Sequence, residues 1–310
     1  MWQRIRGLRH SPPGPAGSDA ERKLTFGAAL EQSEQLFKSA ETVDYSARPL
    51  LLFYGLSQAG RAIAAASTRA STPDEWQLNG HGIAVEKLDE QRLLSQCTVK
   101  NQNGKKGSFK QLAGLLGSAS LPGDGALFGQ LWSMVPELTR YPLTEQGAVH
   151  PVLRFGDTAM AAPGRAGWVK GIPAGEQGPG LEDFLSHYPG LHGTEPAGPP
   201  NDFSRGENDG TFTATRQWQL FPPATTTYLA DDDTYLFPAV AGQSEVLHPL
   251  LLWWSLLFTL SMFARYHPSS WVAFLNIDQH QDSTALEVAL DQALSICPQL
   301  IYSTIHAVSI

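Results

Sequence analysis

Two arginines, a tyrosine and a glutamine interrupt residues 46–66, the most apolar stretch in the first half of the chain. Tyr54, Gln58 and Arg61 are spaced i, i+4 and i+7, so on a helix they share one face. Arg48 lies near the start of the same stretch. Because guanidinium groups donate several hydrogen bonds to carboxylate or phosphate oxygens, the pattern predicts a pocket for an anionic ligand.

A structural interpretation of these side chains stays open beside the functional one. Buried polar groups without partners are costly, so a polar stripe on an apolar helix must find partners. Glu245 and Asp278 are candidates to pair with the arginines. Such a network would fix the register of packed helices and would bind nothing.

A second candidate group ends the other long apolar stretch, residues 247–266. Arg265, Tyr266 and His267 are consecutive, and Trp271 follows closely. The functional interpretation is an anion clamp or an acid/base pair. The structural interpretation is a helix C-terminus whose dipole is stabilised by basic groups.

His81 is the third candidate, because it lies between two glycines in the turn at 79–82. The glycines permit close approach of the backbone to a ligand or a neighbouring segment. A turn histidine without a chemical role is the competing interpretation.

Metal and cofactor sites are not expected. Asp231, Asp232 and Asp233 are consecutive, but no second cluster completes a metal site, so we predict a solvated acidic turn. Cys97 and Cys297 are far apart and have no metal-type spacing. The chain has no P-loop, dinucleotide-binding or zinc motif.

Residues 50–61 are compatible with two local structures. In the favoured one, Ser46 caps a long buried helix and Pro49 lies in its first turn. In the other, a strand and a sharp turn present Ser57 as the nucleophile of a serine hydrolase elbow. Ala59 stands where that motif has its second glycine, and too few residues precede it to build the required parallel strands.

Composition narrows the class of protein. The 310 residues, 42% of them hydrophobic, can bury a sizeable core. A net charge of −8 argues against a dedicated binder of duplex DNA. No secretory signal is visible, and the apolar run at 250–264 is too short to cross a bilayer. With only two separated cysteines, we expect a cytoplasmic protein without membrane association.

The segments that carry the candidate site residues are predicted to be mostly helical. Residues 1–24 are predicted to be a flexible leader, rich in proline and glycine at its centre. An amphipathic helix at 26–40 and the apolar helix after it should form a helical hairpin. A helix is expected at 247–266. Thr284 should open another in a capping box, and Pro298 should close it.

The middle of the chain differs from the rest in amino-acid composition. Residues 141–244 are rich in proline and glycine and contain alternating segments, so an antiparallel sheet with long loops is expected. The segment at 211–220 alternates best, and 225–229 and 234–237 are predicted to pair with it. We therefore predict a mostly helical α+β fold: one domain, 25–310, with a helical core at 25–140 and 245–310 and a β-containing insertion.

Several motifs together resemble the YaaC-like family of bacterial proteins, over about residues 26–305. The most specific is Leu-Ser-Met-Phe-Ala-Arg-Tyr-His-Pro at 260–268, followed by a tryptophan. The other resembling segments are 46–56, Gly-His-Gly at 80–82, Gly-Ser-Phe at 107–109, 235–238, 248–251 and 298–301. The resemblance favours the helical interpretation around Ser57 and implies no established activity.

The first hairpin also resembles those of HEPN-type helical domains, many of which are RNases or toxin components with an Arg-x(4–6)-His motif. Outside the leader the chain lacks that spacing, since Arg265 and His267 are separated by one residue. Three functions remain open. The leading one is a helical binding module for a protein partner or an anionic small molecule or nucleotide, as a monomer or homodimer. The alternatives are a HEPN-like RNase or defence-related protein using Arg265 and His267, and a hydrolase using Ser57.

Overall fold

The computed structural model describes residues 1–86, 88, 93–102, 107–146, 149–156, 167–173, 180–192, 201–205, 212–218, 226–227, 234–240 and 244–310. The chain forms two compact units. The helical unit comprises Met1–Gly147 and Leu247–Ile310, and the β unit comprises Ala148–Val246. The β unit overlaps the insertion predicted at 141–244.

Helices dominate the helical unit. They are α1 (Trp2–His10), α2 (Pro15–Ser18), α3 (Ala20–Thr42), α4 (Arg48–Ala66), α5 (Pro73–Gln77), α6 (Ser108–Leu116), α7 (Phe128–Ser133), α9 (Pro249–Tyr266), α10 (Pro268–Phe274) and α11 (Ser283–Val308). Asp19 caps α3 by accepting from the backbone N–H groups of Glu21 and Arg22. Pro49 and Pro249 lie in the first turns of α4 and α9, where a missing N–H costs nothing.

The core forms where α4 packs against α3, α9 and α11. The α3–α4 pair is the predicted helical hairpin. Almost every side chain of α9 up to Ser261 is buried. Gly60 lets α4 approach α9 closely, because a Cβ there would lie 2.6 Å from the Trp254 ring.

The first residues are ordered into helices, so the flexible leader predicted at 1–24 is wrong. Ile5 of α1 is 1% exposed and Ala16 of α2 is fully buried. Arg6 of α1 forms a salt bridge with Glu34 of α3. Apolar burial and this ion pair outweigh the effect of the proline-rich composition.

Helix α10 follows α9 directly, with Pro268 in its first turn. The last helix, α11, differs from the sequence expectation in two places. Pro298 lies inside α11, which continues to Val308. Its buried ring packs in the core, and this compensates for one lost backbone hydrogen bond. The capping box at Thr284 is absent, since the N-cap of α11 is Asp282, two residues earlier, and Thr284 lies inside the helix.

A small antiparallel sheet completes the helical unit, in the order β1 (Ile83–Glu86), β2 (Thr98–Asn101), β3 (Ala126–Leu127). Ile83 lies opposite Asn101, and Val99 lies opposite both Val85 and Ala126. Strand β1 directly follows the glycine-flanked histidine, so the sheet fixes the position of that turn.

The β unit contains a six-stranded antiparallel sheet in the order β6-β7-β5-β4-β9-β8. Its elements are β4 (Leu153–Gly156), β5 (Gly167–Pro173), α8 (Gly180–Ser186), β6 (Asn201–Arg205), β7 (Phe212–Trp218), β8 (Thr226–Thr227) and β9 (Thr234–Leu236). The alternating segment forms β7 as predicted. The pairing prediction is wrong, because β7 lies between β5 and β6, whereas β8 and β9 pair with each other and β9 joins β4.

A separate apolar core supports this sheet. Tyr188 is fully buried, and its hydroxyl donates to the carbonyl of Pro151 at 2.6 Å. The cluster consists of Leu153, Val169, Ile172, Leu181, Phe184, Leu185, Tyr188, Leu191 and Leu236. The molecule therefore has the predicted mostly helical α+β fold. None of the helices in the described residues is long and apolar enough to span a bilayer.

Candidate functional site

The polar face of α4 is partly exposed. Tyr54, Gln58 and Arg61 all lie on this face, and the residues between them are mostly buried. Arg61 Nη1 donates to Gln58 Oε1 at 3.1 Å, and Arg61 Nε donates to the Leu78 carbonyl at 3.5 Å. Both acceptors are neutral, so these bonds orient the guanidinium without compensating its charge.

A tight backbone contact brings His81 to this face. Gly80 and Gly82 have φ of 77° and 74°, a region that disfavours side chains. A Cβ on Gly82 would lie 2.5 Å from the Cα of Gly107. The backbone N–H of Phe109 donates to the His81 carbonyl at 3.2 Å. The Gly-His-Gly and Gly-Ser-Phe segments therefore contact each other directly, and together they hold the imidazole in place.

The His81 ring rests on an aromatic layer and is partly exposed. Its centroid lies 5.4 Å from that of Phe53 in α4, 6.3 Å from that of Tyr54 and 6.3 Å from that of Phe258 in α9. The Nδ1 atom is buried and has no hydrogen-bond partner among the described residues. The described residues around the ring thus provide no hydrogen-bond acceptor or donor for Nδ1.

Burial lowers the pKa of His81, and the positive charges of Arg265 and Arg61 lower it further. Both arginines therefore act on the same imidazole from different helices. At neutral pH the ring is mainly uncharged, since its pKa lies below the ordinary value near 6.5.

Arg265, in the last turn of α9, lies next to Tyr54 of α4. Its guanidinium carbon lies 5.9 Å from the centre of the Tyr54 ring and 4.9 Å from that of Tyr266. Its Nη2 donates to the Tyr266 hydroxyl at 2.9 Å. Tyr266 is 57% exposed, so the arginine stands at the surface.

We call this group the open cluster: Tyr54, Gln58, Arg61, His81 and Arg265. In the part of the chain that the structure describes, neither of its arginines forms a salt bridge. Two cationic groups beside a partly exposed, uncharged imidazole are arranged to accept an anion.

Arg48 and Trp271 do not join the open cluster. Arg48 Nη1 donates to Asp291 Oδ1 of α11 at 2.5 Å, and its guanidinium stacks on Tyr45 at 4.4 Å. The Tyr45 hydroxyl donates to the other oxygen of Asp291 at 2.9 Å. Buried Trp271 donates from Nε1 to the carbonyl of Ser46 at 3.1 Å. We call Tyr45, Arg48, Trp271 and Asp291 the closed cluster, because the charge of Arg48 is paired with the carboxylate of Asp291.

His267 has a structural position at the junction of α9 and α10. Its backbone N–H donates to the Phe263 carbonyl, and its carbonyl accepts from the backbone of Trp271. Its ring lies 6.2 Å from that of Phe263, whereas Arg265 contacts Tyr54 and Tyr266. The pair predicted as an acid and a base thus has separate neighbours.

Ser57 lies in the middle of the uninterrupted helix α4. The hydrolase interpretation is therefore wrong, because a nucleophile elbow requires a strand-to-helix turn at this serine. The pairing partner of Arg48 is Asp291 and not the predicted Glu245 or Asp278. Asp231, Asp232 and Asp233 lie outside the described residues. No group of three metal-ligating side chains occurs within the described ranges.

The sequence did not reveal several residues that belong to the two clusters or support them. Asp291 gives no local indication, because it lies 243 positions from Arg48. Phe258 is one apolar residue among many in α9. Gly107 could have been found, since the paired glycine motifs at 80–82 and 107–109 stand out in the sequence.

Comparison with known proteins identifies the family. A family model described as YaaC-like Protein matches residues 9–305. No curated protein and no solved structure matches the chain. Since the model covers nearly the whole sequence, the chain belongs to the YaaC-like protein family.

Proposed function

We propose that this member of the YaaC-like protein family is a binding module for an anionic small molecule, such as a nucleotide, at the open cluster. The observation that carries the proposal is that Arg61 and Arg265 act on the imidazole of His81 from two different helices, and that neither arginine forms a salt bridge within the described residues. Like charges held together are unfavourable until an anion binds between them.

The number and type of donors support an oxyanion as ligand. A hydrogen bond from a charged donor stabilises by about 1.5–3 kcal/mol, more than a neutral one. Arg61 at present donates only to a side-chain amide and a backbone carbonyl. A negatively charged ligand oxygen would therefore add charge compensation that these two neutral acceptors do not provide.

The surroundings also favour binding over simple solvation. Phe53 and Phe258 lie beneath His81, and such apolar walls strengthen electrostatic interactions by lowering the local dielectric constant. Beside Arg265, the exposed ring of Tyr266 offers a flat surface for an aromatic part of a ligand.

Calorimetric titration with acetate, sulfate and adenosine monophosphate tests the proposal. We expect at least one of the three to bind, and R61Q and R265Q each to weaken that binding by about tenfold or more. R140Q is the matched control, since Arg140 is an exposed arginine outside the cluster. Absence of binding by all three anions, or unchanged affinity in both cluster variants, would contradict the proposal.

The proposed compartment is the cytoplasm. Cys97 and Cys297 are both buried and free, which supports a reducing environment.

A further inference from the structure

We infer that the ligand of the open cluster carries a doubly charged tetrahedral oxyanion of the phosphate-ester class, and that its binding places a proton from solvent on His81. This deepens the function proposed above and rests on it.

The charge of the empty site favours a dianion over a monoanion. Arg61 projects from α4 and Arg265 from α9, and each brings one positive charge. A carboxylate carries one negative charge and would neutralise one of these two positive charges. A phosphate monoester carries close to two negative charges at neutral pH and presents three acceptor oxygens. It can therefore accept from both arginines and still offer an oxygen to the imidazole.

The surroundings of His81 explain why it is uncharged before binding. Tyr54 and Arg61 face it from α4, and Arg265 faces it from α9. Strand β1, which follows it, carries Glu86, but that carboxylate forms a salt bridge with Lys100. Among the described residues, the two charges that act on the empty ring are thus both positive, and a protonated ring would add a third.

A bound dianion reverses this balance. Two negative charges beside the ring offset the arginines and favour the imidazolium, so the pKa of His81 rises on binding. Between the pKa of the free site and that of the occupied site, binding takes up a proton. Solvent supplies the proton, no covalent bond to the ligand changes, and the imidazolium N–H donates to a ligand oxygen.

Sulfate is the suitable probe, because it stays doubly charged throughout the neutral range. Any proton taken up then belongs to the protein. The measurement is the ring ¹⁵N shift of His81 in histidine-labelled protein near neutral pH, with chloride at matched ionic strength as the reference and H81N to assign the signal. We expect sulfate to move this signal from neutral imidazole towards imidazolium. The affinity for sulfate should fall by up to about tenfold per pH unit as pH rises.

The outcomes separate this inference from the proposed function. If sulfate binds in an Arg61-dependent way while His81 stays neutral, proton uptake is wrong and the anion site stands. If acetate binds more tightly than sulfate, the dianion assignment is wrong. If none of acetate, sulfate and adenosine monophosphate binds, the proposed function fails and the inference fails with it.

A second variant covers the case in which H81N does not fold. The double variant R61Q/R265Q keeps His81 in place and removes both positive charges. We expect its free His81 pKa to rise towards the ordinary value, and the response to sulfate to disappear. An unchanged sulfate response in this variant would overturn the inference, and R140Q should behave as the unaltered protein.

Discussion

Two arginines of helix α4 have opposite environments. Arg48, at the start of the helix, is paired with Asp291 and stacked on Tyr45. Arg61, about three and a half turns later, donates to neutral acceptors on Gln58 and Leu78. One guanidinium is thus paired with a carboxylate of the protein, and the other keeps charge available for a ligand. Residue type and apolar context are the same at both positions, so the partner decides the role.

The contrast extends to Trp271, which is grouped with Arg48, and to His81, which is grouped with Arg61. Trp271 in the closed cluster is 1% exposed and donates to backbone carbonyls at the start of α4. His81 in the open cluster is partly exposed and has an unpartnered Nδ1. Changes in the closed cluster should therefore cost stability, and changes in the open cluster should cost binding.

The largest effect is expected for W271A. The change removes a buried indole and its hydrogen bonds, and we expect the free energy of unfolding to fall by about 3–5 kcal/mol. Urea denaturation measures the loss. W271F is the matched control, which keeps most of the apolar contact and should lose about 1–2 kcal/mol. If W271A is as stable as W271F, the closed cluster does not hold α10 against α4.

The next prediction concerns His248, through which the stability of the protein should depend on pH. Burial lowers the pKa of His248 to about 4, and its Nδ1 accepts from the backbone N–H of Leu250 at the start of α9. Between pH 6.5 and 4 the unfolded chain binds a proton that the folded protein does not. Stability therefore falls as pH falls through this range, by up to about 3 kcal/mol.

The matched variant is H248N, because asparagine caps a helix without titrating. As pH falls below 6.5, we expect H248N to lose less stability than the unaltered protein. The unfolding free energy of H248N minus that of the unaltered protein should therefore rise. Equal pH dependence of the two proteins would show that His248 does not carry this loss. The pKa of His81 should also rise with added salt, which screens its arginines, whereas that of His248 has burial as its only cause and should not.

Local patterns predicted the main helices because local forces decide them. The apolar runs of α4 and α9, each with a proline in the first turn, are enough to define two buried helices. The strand at 83–86 and the alternation of β7 are similarly visible in the sequence. The family motifs correctly excluded a turn at Ser57.

Long-range contacts account for what the sequence did not reveal. Helix α1 forms because Ile5 is buried and Arg6 finds Glu34, which no local composition indicates. Pro298 stays inside α11 because its neighbours bury it. The grouping of Arg48 with Arg61 failed for the same reason, since Asp291 lies far along the chain. The open cluster could be predicted in part, but not the backbone contact that holds His81.

That backbone contact gives a third prediction, for G82A. A Cβ at this position meets the backbone of Gly107 and requires positive φ, so we expect a loss of about 2–3 kcal/mol in stability. Because His81 would shift, anion binding should weaken as well. G80A is the matched control: its φ is also positive, but a Cβ there meets no atom within 4 Å. It should lose about 1 kcal/mol. Equal losses in G80A and G82A would show that the contact with Gly107 is unimportant.

The smallest effect in stability tests the comparison of the two arginines directly. R48Q removes a partly buried ion pair, and we expect a loss of about 1 kcal/mol in the free energy of unfolding, with anion binding unchanged. R61Q removes a charge that repels Arg265 and forms no ion pair, so stability should change by less than about 0.5 kcal/mol, in the direction of a gain. Urea denaturation at low and high salt measures both. Added salt screens attraction and repulsion alike, so it should shrink the loss in R48Q and the gain in R61Q. If R61Q loses as much stability as R48Q, its guanidinium has an internal partner, and the distinction between the open and closed clusters fails.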